Sequence, residues 1–115
     1  MSYAPDAVVA GKLERHTFPG RPNYESIAKG DEAESGFYVR LPHAICTEGD
    51  PKSPDTYPQK NVRLVQLVLQ PAQYDELRPL LGKSVRLKGD LFARFTGHHH
   101  APLLLTVKTN EQSAR

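Results

Sequence analysis

Apolar and polar side chains alternate every second residue along most of this chain, the period of a half-buried β-strand. From Val8 to Thr17, Val9, Gly11 and Leu13 alternate with Lys12, Glu14 and His16. Gly11 inside that run predicts a bend or a close backbone approach. From Gly36 to Ile45, Phe37, Val39 and Leu41 share one face, and Tyr38 and Arg40 the other. Pro42 cannot donate to a ladder, so this strand carries an edge or a bulge there. Asn61 to Leu69 holds the near-continuous apolar run Val62 to Leu69, expected where both faces are covered. In Ser84 to Phe95, Val85, Leu87, Gly89 and Leu91 point inward, and Arg86, Lys88 and Asp90 outward. Leu103 to Val107 is the fifth strand.

The period changes to helical only once. Tyr74, Leu77 and Leu80 or Leu81 fall on one stripe after Pro71, which suits a first helical turn. Gly82 suits the left-handed position that ends such a helix. Pro79 removes a backbone donor, so the last turn is expected to tighten or break. The order is strand, strand, strand, helix, strand, strand. The fold class is therefore mainly β: a five-stranded OB-like barrel with one short helix between strands three and four. An α+β sheet, or an SH3-like barrel with an inserted helix, is the competing architecture.

Size agrees with one domain over residues 1–115, with a core of about 8–108 and loose ends. Ten prolines and eight glycines fit short elements joined by many turns. No apolar run approaches the roughly 20 residues that span a bilayer as a helix. No basic stretch followed by an apolar run opens the chain, so no secretory leader is expected in the sequence as given.

Charge narrows the partner classes. Fifteen basic and thirteen acidic side chains give a net +2, and the acids are interleaved, as in Asp31-Glu32-Ala33-Glu34. A nucleic-acid binder usually gathers its cations on one face. Single-stranded nucleic acid is thus disfavoured, although Arg40, Arg63, Arg86, Lys88 and Arg94 would supply cations and Tyr38 and Phe92 stacking platforms. One cysteine, Cys46, allows no intrachain disulfide and no paired-thiol zinc site; on its apolar stretch it reads as a small buried hydrophobe.

Two loops carry the candidate chemistry, and in an OB-type barrel they are expected to open onto the same end and form one site there. Phe18 to Ser35 is long, rich in Pro, Gly and charge, and without a strong period. In Phe18-Pro19-Gly20-Arg21-Pro22-Asn23-Tyr24-Glu25-Ser26 the prolines pre-set much of the backbone, so the loop loses little entropy on binding. Arg21 offers a planar cation for carboxylate or phosphate, and Tyr24 a rigid face with a polar tip. Phe18 and Tyr24 serve equally as cover for one end of the barrel. The second loop holds Thr96-Gly97-His98-His99-His100-Ala101-Pro102. In extended backbone His98 and His100 share a side, opposite His99. A pair two residues apart can chelate zinc, with His16 as third ligand and Glu25 or Asp31 as an oxygen donor. The plainer alternative is that the histidines bond the loop backbone.

For catalysis the chain offers little: Glu25 and Asp31 make a carboxylate pair only if the fold brings them together. Ser26 sits in no nucleophile elbow, and Gly82-Lys83-Ser84 lacks the upstream glycine of a phosphate loop. The candidate ligand-binding residues are Arg21, Asn23, Tyr24, Glu25, His98, His99 and His100. The candidate metal ligands are His98, His100 and His16.

The chain also resembles a family of small bacterial domains of unknown function, mostly carried on exported proteins. The matching pieces are Phe18 to Ser26, Gly30-Asp31, Gln66-Leu67, Leu81 to Val85, Lys88 to Phe92, and Thr96 to Leu104. That resemblance implies a periplasmic or extracellular protein if a leader has been trimmed, and a cytoplasmic one otherwise. The expectation is a non-enzymatic binding domain for another protein, a cell-envelope component or a small polar ligand. The alternatives are a zinc-type histidine site, structural or catalytic, and a single-stranded nucleic-acid binder.

Overall fold

The computed structural model describes residues 3, 6–23, 26–49, 52, 56–94 and 99–110, without the side chain of residue 34. It contains β1 (Ala7–Pro19), β2 (Ala33–Thr47), β3 (Gln59–Val68), α1 (Pro71–Leu77), β4 (Ser84–Ala93) and β5 (Leu103–Asn110). Short 3-10 turns occupy Ile27–Lys29 and Arg78–Leu80. The strands close into one barrel in the order β1-β2-β3-β5-β4, and β4 returns to β1. Every pairing is antiparallel except β3 with β5. The fold is thus mainly β, a closed five-stranded barrel with its helix between strands three and four.

The alternation read from the sequence is the alternation across the barrel wall. Val9 and Leu13 of β1, Phe37, Val39 and Leu41 of β2, Val65 and Leu67 of β3, Leu87 and Leu91 of β4, and Leu103 and Leu105 of β5 all enter one core. Gly11 lies where β1 passes from β4 to β2, since Lys12 pairs with both Ser84 and Arg40. A Cβ at Gly11 would run into the carbonyl oxygen of Arg40, so the crossing requires glycine. At Pro42 the β2–β3 register shifts between Arg40 and Ile45, the bulge that the missing donor demands.

The helix closes one end of the barrel. Leu77 is buried, and Tyr74 meets the Phe37 ring edge-on at 5.1 Å. The Gln73 side-chain oxygen accepts from Gln70 N–H at 2.6 Å, while its amide donates to Val107 O at 2.9 Å. One side chain thereby starts the helix and ties it to β5. The α-helical turns stop at Leu77, and a tighter turn carries the chain through Pro79, because that ring has no N–H for an α-helical bond. Gly82 takes the left-handed conformation at φ 85°.

Three expectations are corrected. β1 runs two residues past Thr17 to Pro19, and β2 begins at Ala33, so the first loop is shorter than its composition suggests. Its prolines and charged residues hid a continuing ladder, in which Phe18 pairs with Glu34. β4 ends at Ala93, short of the expected boundary, and Phe95 lies outside the described residues. Cys46 is exposed: in β2 the odd positions Ile45 and Thr47 turn inward, which leaves Cys46 on the outer face.

Candidate functional site

The outer face of the barrel carries a second, smaller cluster. Tyr38 points away from the core shared by Phe37 and Val39, yet it is 1% exposed. Leu104 lies two strands away along the same row, through the pairs Tyr38 with Gln66 and Gln66 with Leu104, and it too is fully buried. Side chains from β1 and from the histidine segment cover this wall. His16 meets Tyr38 edge-on at 5.3 Å, and Phe18 meets it at 5.6 Å. His100 then stacks on Phe18, with ring centroids 4.9 Å apart and planes 10° from parallel. The end of β1, just before the first loop, therefore touches the histidine segment on the outer wall above Tyr38. Tyr38 lies beneath this cover and offers no exposed stacking platform.

The histidine segment is fixed from both sides. His100 N–H donates to Gln66 Oε1 at 2.6 Å, and Ala101 N–H shares that oxygen at 3.3 Å. Gln59 Nε2 holds Pro102 O at 2.6 Å. His99 turns the opposite way from His100 and packs edge-on against Phe92 at 5.4 Å. Successive side chains of an extended segment take opposite faces, so His99 reaches β4 and His100 reaches β1.

A buried carboxylate orders the first loop. Asp31, 6% exposed, accepts Asn23 N–H on Oδ1 and Ser26 N–H on Oδ2, each at 2.9 Å. Backbone bonds add Gly20 N–H to Glu32 O at 2.6 Å and Glu32 N–H to Arg21 O at 2.7 Å. The Arg21–Pro22 peptide is cis. Arg21 and Asn23 stay exposed on this frame, and Arg21 makes a loose 3.7 Å pair with Glu32. Tyr24, Glu25 and His98 lie outside the described residues.

His16 belongs to a different network. Its Nε2 lies 2.7 Å from Glu14 Oε1, and Arg40 Nε reaches both Glu14 oxygens at 3.0 and 2.9 Å. The Arg40 hydrogen bond holds the Glu14 carboxyl below its ordinary 4.5, with His16 adding to the effect and partial burial opposing it. Glu14 in turn raises Arg40. Among the described residues no three His, Cys, Asp or Glu side chains are grouped to hold a metal ion. The Asp31 oxygens, considered as metal donors, each accept a backbone N–H.

Sequence reasoning missed the Asp31 cap, the Gln66 anchor and the Glu14–Arg40 pair. Asp31 directly after Gly30 was a usable signal, since Asp often accepts nearby backbone N–H groups in turns. The other two join different strands and leave no local trace.

One family model matches the chain, a domain of unknown function (DUF4431), over residues 64–111. That span runs from β3 to just past β5 and includes the histidine segment; the Phe18–Ser26 motif lies before it. No curated protein matches the chain, and no solved structure does.

Proposed function

We propose that this chain is a binding domain without catalytic chemistry, built on an OB-like barrel, whose recognition surface joins the two loops. The strand order, the parallel β3–β5 pair and the helix position support the OB-like reading. The Phe18–His100 stack supports the functional one, because Phe18 stands at the end of β1 where the first loop begins and touches the histidine segment. Arg21 and Asn23 present a cation and an amide from a backbone already ordered by Asp31, so little entropy is lost on contact. His99 and His100 bound the surface, and Tyr24, Glu25 and His98 lie on the same two segments. A polar or anionic group fits these donors: the end of a protein segment, a cell-envelope component or a small polar ligand. An exported bacterial setting, periplasmic or extracellular, is part of the same reading.

The test is an amide-shift titration of isotope-labelled protein with soluble muropeptide, an acidic peptide and zinc chloride in turn. Either organic probe should move Gly20, Arg21, Asn23, His99 and His100, and the Arg21→Ala variant should weaken the response. Shifts confined to other surfaces, or none at millimolar probe, overturn the proposal. Stoichiometric zinc uptake that raises the melting temperature replaces it with the metal-site reading.

A further inference from the structure

A cavity of about 300 Å³ lies at the helix-covered end of the barrel, lined by Arg15, Ser35, Phe37, Tyr74, Arg78 and Leu81. Its walls come from three elements held together by backbone bonds. Leu13 N–H donates to Lys83 O at 2.9 Å, and Gly82 N–H donates to Leu13 O at 2.8 Å. These bonds dock β1 on the segment after the helix and bring Arg15 to the same concavity as Arg78. The edge-on Phe37–Tyr74 pair supplies an aromatic wall.

Two arginines, Arg15 and Arg78, thus line one concavity whose lining, among the described residues, includes no acid. Arg78 pairs with Asp75 at 2.6 Å, but Asp75 is 78% exposed and does not line the cavity. A concavity lined by charges of one sign raises the local concentration of a counter-ion. Planar guanidinium forks match carboxylate and phosphate oxygens. The Ser35 hydroxyl, 2.7 Å from Thr17 Oγ1, adds a polar partner at the rim. The volume suits a small ligand at the low end of ordinary pockets.

We infer that this cavity binds a small organic anion with an apolar body. Its carboxylate or phosphate head sits between Arg15 and Arg78, and its hydrocarbon part lies against Phe37, Tyr74 and Leu81. The site uses none of the residues of the two-loop surface, so either reading stands or falls without the other.

The experiment titrates labelled protein with phenylacetate and phenyl phosphate, with phenylacetamide and inorganic phosphate as controls. An anion with a ring should shift Gly36, Phe37, Tyr74 and Leu81, and the stronger of the two identifies the head group. The neutral amide should leave these amides in place, and inorganic phosphate should bind more weakly than its phenyl ester. The double variant R15Q/R78Q should weaken binding at least about tenfold, the scale of lost hydrogen bonds to charged groups. Both side chains are exposed, so its near-UV circular dichroism should match the parent. Should that variant misfold, Ser35→Phe fills the cavity from an exposed position and should abolish the shifts. Equal response to the amide, no response to either anion, or unchanged binding in the folded double variant or in Ser35→Phe overturns the inference.

Discussion

Asp31 shows how one side chain can set a surface it does not itself present. Its two oxygens each satisfy a backbone N–H of the first loop, and it is almost wholly buried. Asp31→Ala removes both acceptors and leaves donors without partners. The expected loss is about 2–4 kcal/mol, taking two hydrogen bonds to a charged group together with relaxation of the loop. Urea unfolding midpoints measure it. Amide shifts of Asn23 and Ser26 should move furthest, while those of the β3–β5 ladder stay fixed. Glu14 makes the second prediction at this scale. Its folded-state pKa is depressed, chiefly by Arg40. Its contribution is therefore fully present above the ordinary value of 4.5 and lost as pH falls through the lowered one. Stability should decline with acid below that value, and Arg40→Gln should make the decline shallower. Unfolding midpoints across a pH series check the sign.

Among the elements, β1 does the most to position both sites. It pairs with β4 over its first half and with β2 over its second, and it changes partner at Gly11 and Lys12. Outward residues of its second half, His16 and Phe18, build the cover over Tyr38, whereas Arg15 turns to the cavity beneath the helix. Gly11→Val would drive a side chain against the Arg40 carbonyl and splay β1 from β2. An overpacked site of this kind costs about 1–3 kcal/mol or more. Weakened hydrogen-exchange protection should follow on both strands around the crossing. A loss confined to the β3–β5 pairing would contradict this account of the glycine. The strand cores and the helix were legible from periodicity, because a two-residue repeat and a single 3.6-residue stripe are local signals. The ends of β1 and β2 were not. Pro19 and the charged residues around it resemble a loop, and only pairing across the barrel reveals a ladder.

At the scale of the molecule, closure brings distant segments into register. Phe18 and His100 are far apart in sequence, yet the barrel wall places them in a parallel stack. Both loops could be singled out by composition, as runs of Pro and Gly and as a histidine triplet. The contact of Phe18 with His100 on the outer wall could not, since it depends on Tyr38 and Leu104 forming an apolar patch there. Tyr38 illustrates the difficulty: alternation correctly points it outward, and outward usually means solvent. The cover supplied by β1 and the histidine segment reverses that inference. Cys46 errs the other way. Its apolar neighbours suggest burial, whereas the inward turn of Ile45 and Thr47 leaves it outside.

Local patterning was enough for strand number, helix position, the glycine crossing and the proline bulge, because each follows from backbone geometry over a few residues. The Asp31 cap extends that reach slightly, through an acceptor lying within eight residues of its donors. Contacts between strands distant in sequence settled the rest: the Glu14–Arg40 pair, the Gln66 anchor, the aromatic cover and the two-arginine cavity. Each depends on the register and shear at which the barrel closes. Those quantities come from packing the whole core at once, and no short stretch of residues encodes them.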